Sequence, residues 1–343
     1  MIPKKRIFYL DFIRTISMII VVTYHFFFHF KDFSIYPLHP FLSNSKWGII
    51  GVTMFFLLSG FSLTMINYKK IDLKVYYNKR FKSIYPLFWI VYITFFIILL
   101  FKNGGFSWNM PKLFIIFSIL GIDGYMGAMG IPTAGIIGEW FLGCLLIIYL
   151  IYPLLLMIIK KKPKLFLCIT TIFYFLTIMF SKGKLIPINF NFFVSLYLFT
   201  IGIYIYIYKL DFKKWQIVSF VLLSIILFSI PYSNSNLCTA ISNLVGFMLF
   251  FILIHLSYYV NNKYIKYSIY KLSNDSYAIF LIQHIIILFV EPFFSNKHVS
   301  TMFAFTIYFA TWIIIVFMAK IFIFIKDKVI NFVAEAKKLN YES

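Results

Sequence analysis

Apolar runs of about 20 residues recur along this chain, separated by short basic loops, and they constrain its fold more than any other feature. A helix of that length crosses a bilayer core, whereas the strands of a membrane barrel would alternate apolar and polar residues. The runs do not alternate, and hydrophobic residues make up 62% of the 343, against roughly 45–50% in an ordinary soluble domain. No soluble core of this size hides so much apolar surface, so lipid must be the solvent. The fold class expected is all-α, a polytopic integral membrane protein of ten spans at 7–30, 47–66, 84–101, 137–159, 165–180, 188–208, 215–231, 237–260, 274–294 and 301–325. Residues 1–343 read as one membrane domain without an internal repeat.

The net charge is +21, but its distribution argues against nucleic acid as a partner. Loops 1–6, 67–83, 160–164, 209–214, 261–273 and 326–343 hold 23 Lys and Arg, and the alternate loops hold 7. That asymmetry follows the positive-inside rule and puts both termini in the cytoplasm. The basic residues form no separate nucleic-acid-binding domain, and the partner implied for most of the surface is membrane lipid. Residues 113–122, LFIIFSILGI, are too few for a span. A crossing there would turn the later KKKPK outward, so the segment is expected to be interfacial or re-entrant. The first run follows Lys4, Lys5 and Arg6 as a signal peptide would, yet it has no small-residue cleavage site and reads as a retained span. Cys144, Cys168 and Cys238 show no paired spacing, and neither a disulfide framework nor a metal site is expected. HExxH and GxSxG motifs are absent.

The first span carries charge where charge is expensive: DFIRTISMIIVVTYH, residues 11–25. Arg14 and His25 are eleven residues apart, which on a helix is three turns plus about 20° and an axial separation of about 16 Å. They share a face, with Met18 and Val22 between them and His29 one turn beyond. Asp11 precedes Arg14 by three residues, close enough to pair with it. Such a stripe faces a bundle interior or a water-filled cavity. A histidine near neutrality takes a proton from a hydroxyl, and an arginine donates to phosphate or carbonyl oxygens. An Asp–Arg pair anchoring the helix end is the plainer reading of Asp11, and an interfacial role is the plainer reading of His29.

Five motifs in order resemble the bacterial membrane acyltransferase-3 family, over nearly the whole chain. LDFIR followed by a histidine (Leu10, Asp11, Arg14, His25) is similar to its LDxxR…H, and GVTMFFLLSGF at 51–61 to its GVxxFFxLSGF. KRFKSIYPLFW at 79–89 matches a basic stretch ending in IYP and an aromatic. WFLGCLLIIYLIYP, with Trp140, Phe141, Leu142, Tyr149 and Pro153, and SYAIFLIQH at 276–284 match two later spans. The chain departs at Ser83, where many members carry the second arginine of an Arg-x-x-Arg pair beginning at Arg80. It also departs at Ala134, Gly135 and Ile136, which leave Glu139 as an acidic neighbour of Trp140 and not a clear match to the family's glutamate.

The resemblance implies acyl transfer from cytosolic acyl-CoA to a hydroxyl of an extracytoplasmic or lipid-linked glycan, in a bacterial cytoplasmic membrane. Acetyl-CoA is the donor substrate it implies, with succinyl open and no metal. The catalytic residues it implies are His25, Arg14 and Asp11. His25 would act as general base or carry the acyl group. Arg80, Lys82, Lys79 and Tyr85 would bind the donor, and Ser59, Glu139, Trp140 and His284 would belong to the pocket. A basic cluster beside the third span would attract the CoA phosphates, although the positive-inside rule alone accounts for Lys69, Lys70 and Lys74. Tyr85 is equally an interface anchor, Gly60 a packing glycine, His284 an interhelical hydrogen-bonding group, and Glu291 a structural residue at a span end. A transporter with the polar stripe lining its path is the rival reading, and a scaffolding subunit a third. The first would show an inverted repeat, which is not evident. Homo-oligomerisation stays open.

Overall fold

A computed structural model describes residues 6–30, 47–102, 111–137, 140–181, 187–230, 234–294 and 299–342. Glu139, His39 and His298 lie outside these residues. The described residues fold into helices: α1 (Phe8–His29), α2 (Gly48–Asn67), α3 (Leu73–Lys102), α4 (Ile115–Leu120), α5 (Asp123–Ala128), α6 (Trp140–Lys161), α7 (Pro163–Phe180), α8 (Phe192–Ile207), α9 (Lys214–Ser229), α10 (Ser235–Tyr259), α11 (Lys263–Val290) and α12 (Thr301–Glu342). Eight of them, all but α4, α5, α8 and α9, are long and apolar enough to cross a bilayer. The chain is thus a multi-pass all-α membrane protein. Helices α8 and α9 are apolar but only 16 residues each, about 24 Å of helix, so they fall short of the length expected of a span. Where polar loops meet apolar helices, asparagine caps the start: Asn191, Asn234 and Asn262 each accept from backbone N–H groups of the first turn of α8, α10 and α11.

Three helices outrun the apolar runs that announced them. Helix α3 starts at Leu73 and α11 at Lys263, about three turns before the lipid-compatible stretch, and α12 continues past Ile325 to Glu342. Hydropathy marks the part of a helix that lipid can solvate; backbone hydrogen bonding continues as far as local propensity allows. The basic stretch 73–83, expected as loop, is therefore helical and carries Arg80 and Lys82 at a set angle to the core.

Burial separates interior from lipid-facing helices. The most apolar stretch of α10 is 61% buried and that of α7 only 11%. Val218, Leu222, Ile225 and Ile226 on α9, Ile93 and Ile97 on α3, and Phe309, Ile313 and Phe317 on α12 are exposed. So continuous an apolar surface has no place on a soluble monomer. Helix α1 sits inside, packed against α2, α10 and α11. Residues 113–122 do not cross: α4 and α5 fold against the middle of α3, where Tyr85 donates to the Leu120 carbonyl (3.0 Å), Trp89 to the Ile119 carbonyl (3.0 Å) and Tyr92 to the Asp123 carboxylate (3.1 Å). The segment thus folds back on the protein, with carbonyls of its irregular turn bonded to side chains of α3.

Helices α2 and α8 meet backbone to backbone. A methyl placed on Gly60 would overlap the Phe199 carbonyl oxygen, and one on Gly202 the Leu57 carbonyl oxygen. Close approach through small residues replaces the hydrophobic drive that lipid removes. Because each obstacle is main chain and cannot swing aside, Gly60→Ala and Gly202→Ala should each destabilise the protein by about 1–3 kcal/mol. Melting of detergent-solubilised protein checks this; unchanged melting would mean that the two backbones do not touch.

Candidate active site

Asp11 is the hub of the charged end of α1. It is 3% exposed and accepts two hydrogen bonds from Arg6, from Nε and Nη2, both 2.6 Å, and one from Ser273 Oγ on α11 at 2.5 Å. Arg14, the partner expected from the sequence, stands further off at 3.6 Å. Arg6 holds the carboxylate through both nitrogens, so Arg14 is left with one bond to Ser273 Oγ (3.3 Å) and a side chain 35% open. Asp11 thus positions Arg14 and Ser273 and is itself enclosed.

The open face of Arg14 lines a cavity of about 680 Å³ between α1, α2, α3, α6, α11 and α12. Four cations reach it, Arg14, Arg80, Lys82 and Lys326, against one carboxylate, Asp275. Arg80 lies with its guanidinium carbon 5.8 Å from the centre of the Tyr149 ring, and Tyr149 donates to Ser59 (3.4 Å). Tyr277 closes one wall by donating to the Ile84 carbonyl at 3.2 Å. Arg80 Nε and Ser62 Oγ are buried without a hydrogen-bond partner among the described residues. Buried donors left unpaired cost about 1–3 kcal/mol each, which a bound anionic or polar ligand would remove. Along α2 the cavity runs from Ile66 to Phe55, eleven residues or about 16 Å.

The cavity stops at an aromatic layer. Phe55, Phe141 and Phe280 line its deep end, with Phe141 packed on Phe280 (5.4 Å) and on the buried Phe56 (4.9 Å). One helical turn past Phe280 on α11 come Gln283 and His284, and these meet the far end of α1. The amide nitrogen of Gln283 is 2.6 Å from Nδ1 of His25. The rings of His25 and His284 stack at 5.0 Å and 22°. His284 Nε2 and His29 Nε2 share a hydrogen bond of 3.1 Å, and His29 Nδ1 lies 3.4 Å from Glu291. Among the described residues no group of His, Cys, Asp and Glu is gathered to hold a metal ion; the ring nitrogens of His29 face His284 and Glu291.

Residues 7–325 match a family described as Acyltransferase domain, Acyl_transf_3. The chain belongs to the acyltransferase-3 family. Acyltransferase MdmB of Streptomyces mycarofaciens is 29% identical over 123 residues, which are 34% of this chain and 30% of that protein. The chain thus spans less than a third of the length of that curated relative. No solved structure matches it.

In this chain the sequence candidates divide by depth. Arg14, Arg80, Lys82 and Ser59 line the cavity together. His25 and His284 meet beyond the aromatic layer. Lys79 is exposed and Tyr85 points away to Leu120, and neither lines the cavity. Trp140 packs on Phe190 at 5.0 Å outside it. Sequence reasoning missed Arg6, Ser62, Ser273, Lys326 and Gln283. Of these only Gln283, an amide amid Leu and Ile, carried a signal strong enough to act on. Removing the hub should expose the dependence of α1 on it. Asp11→Ala leaves Arg6 and Arg14 unneutralised and should lower stability by about 3–5 kcal/mol, whereas Ser273→Ala keeps the Arg6–Asp11 pair and should cost about 1–3 kcal/mol. Thermal melts of the two variants compare them; equal losses would show that Arg6 is not the main partner.

Proposed function

We propose that this chain is an acyltransferase that moves an acyl group, acetyl in the first instance, from cytosolic acyl-CoA to a hydroxyl of an extracytoplasmic or lipid-linked glycan in a bacterial cytoplasmic membrane. The observation that carries the reading is the cavity with its four cations and the unpaired Arg80 Nε and Ser62 Oγ. Such a set suits an anionic donor bearing phosphates, and the cavity size suits a drug-sized ligand, whose pockets run from about 300 to 1,000 Å³. Arg14 and Arg80 hold the donor, with Lys82 and Lys326 nearer the rim, and the thioester is directed toward the aromatic layer.

His25 receives the proton of the acceptor hydroxyl as that oxygen attacks the thioester carbonyl carbon. The new C–O bond forms, the C–S bond breaks, and the thiolate leaves with a proton returned by the imidazolium. Positioned general bases of this kind contribute about 10²–10⁴-fold. The enzyme's two halves suit a donor and an acceptor that never share a compartment.

Sealed membrane vesicles of known orientation test this. Radiolabelled acetyl-CoA on the cytoplasmic face should label glycan with the wild-type chain and not with His25→Ala at matched expression. Arg80→Gln should raise the KM for acetyl-CoA by roughly 10- to 100-fold, the equivalent of one charge-assisted hydrogen bond. Absence of labelling by the wild type, in vesicles containing the native acceptor, would return the chain to the transporter reading.

A further inference from the structure

Gln283 sets an amide against His25, and it sits where packing alone would favour a hydrocarbon. It is 0% exposed, and its neighbours on α11, Leu281, Ile282, Ile286 and Ile287, are buried apolar side chains. A buried amide in such a setting is unfavourable unless its bonds are made. Its nitrogen lies 2.6 Å from His25 Nδ1, and an amide presents its oxygen in place of its nitrogen after a half-turn about its last bond. For His25 to accept a proton at Nε2, Nδ1 must already hold one, and its partner must then be an acceptor. The Gln283 carbonyl oxygen supplies that acceptor without supplying charge.

The remaining groups around His25 fit a neutral ring. His284 on α11 stacks on it, and His29 on α1 follows one turn on. The carboxylate of the cluster, Glu291 after α11, faces His29 rather than His25. From α12, the Tyr308 hydroxyl bonds Thr23 at 2.8 Å and its ring packs on Phe26 and Phe27. From α2, no charged side chain faces His25 among the described residues, and Tyr24 and Trp47 pair nearby at 5.4 Å. A carboxylate at the Gln283 position would orient the ring equally well but would stabilise the imidazolium, which cannot act as a base.

We propose that Gln283 is a positioning residue of the acyl-transfer reaction: its side-chain oxygen fixes His25 in the Nδ1–H tautomer and keeps the ring plane aligned while leaving the imidazole uncharged. The inference rests on the acyl-transfer reading given above. It predicts opposite behaviour from two substitutions that alter the side chain little in size. Gln283→Leu removes the acceptor, and Gln283→Glu replaces it with a charged one.

The test is the rate of acetyl transfer from acetyl-CoA in oriented vesicles, measured down to acidic pH far enough to record the acidic limb of the wild-type profile. Gln283→Leu should lose about 100-fold in kcat at every pH, the lower end of a general base's contribution, with the KM for acetyl-CoA unchanged. Gln283→Glu should move the acidic limb of the profile upward by about one pH unit or more, as a neighbouring carboxylate does, and recover toward the wild-type rate at alkaline pH. A merely structural amide would not displace the profile. If Gln283→Leu fails to accumulate, the Gln283→Glu profile still decides. A Gln283→Glu midpoint identical to wild type overturns the inference alone, as does a folded Gln283→Leu within about threefold of the wild-type rate, far less than a general base supplies. Failure of the wild-type chain to transfer label overturns the acyl-transfer reading and this inference with it.

Discussion

Hydrocarbon offers no water to a stray polar group, so each charged or amide side chain inside the bundle needs a partner on another helix. The seam between α1 and α11 is where that requirement is met. Arg14 bonds Ser273, Asp11 bonds Ser273, Thr15 bonds the Ile269 carbonyl, and His25 meets Gln283 ten residues further along α11. Eleven residues from Arg14 to His25 on one helix oppose ten from Ser273 to Gln283 on the other, so the two run parallel and nearly in register. A slip by one turn would strand an arginine and an imidazole at once. The polar groups therefore set the register, and the apolar side chains fill in around it.

That register also divides the interior into two chemistries. On one side of the aromatic layer lie the cations Arg14, Arg80, Lys82 and Lys326. On the other side lie three imidazoles and a carboxylate. On the proposed reading, binding and proton transfer are thus kept on opposite sides of that layer. A charged donor would be held among the cations, near the basic loops, and only its reactive end would need to travel.

The apolar runs and the basic loops gave away the architecture because both are one-dimensional properties: a span needs about 20 apolar residues in a row, and charge obeys the sidedness of the membrane. Arg14 and His25 were legible for the same reason, standing out against hydrocarbon on one helix face. The partners were not legible. Arg6 takes Asp11 from Arg14 because it can reach back with two nitrogens, a geometric competition that a spacing of three residues does not reveal. Ser273 and Lys326 are 259 and 312 residues from Arg14 and look like any serine or lysine near a span end. Lys79 and Lys82 are indistinguishable in sequence, yet the helical extension of α3 points Lys82 into the cavity and Lys79 away from it.

On the proposed reading the aromatic layer is what separates the donor side from the acceptor side. A water-filled path from the basic loops to His25 would leak ions and would let water compete with the acceptor hydroxyl for the thioester. Phe56, Phe141 and Phe280 come from three different helices and pack on one another at 4.9 and 5.4 Å. Edge-to-face pairs of this kind contribute about 0.5–1.5 kcal/mol each beyond the area they bury. On the proposed reading the thioester arm displaces these rings as it reaches His25, so the donor opens the barrier only while it fills it.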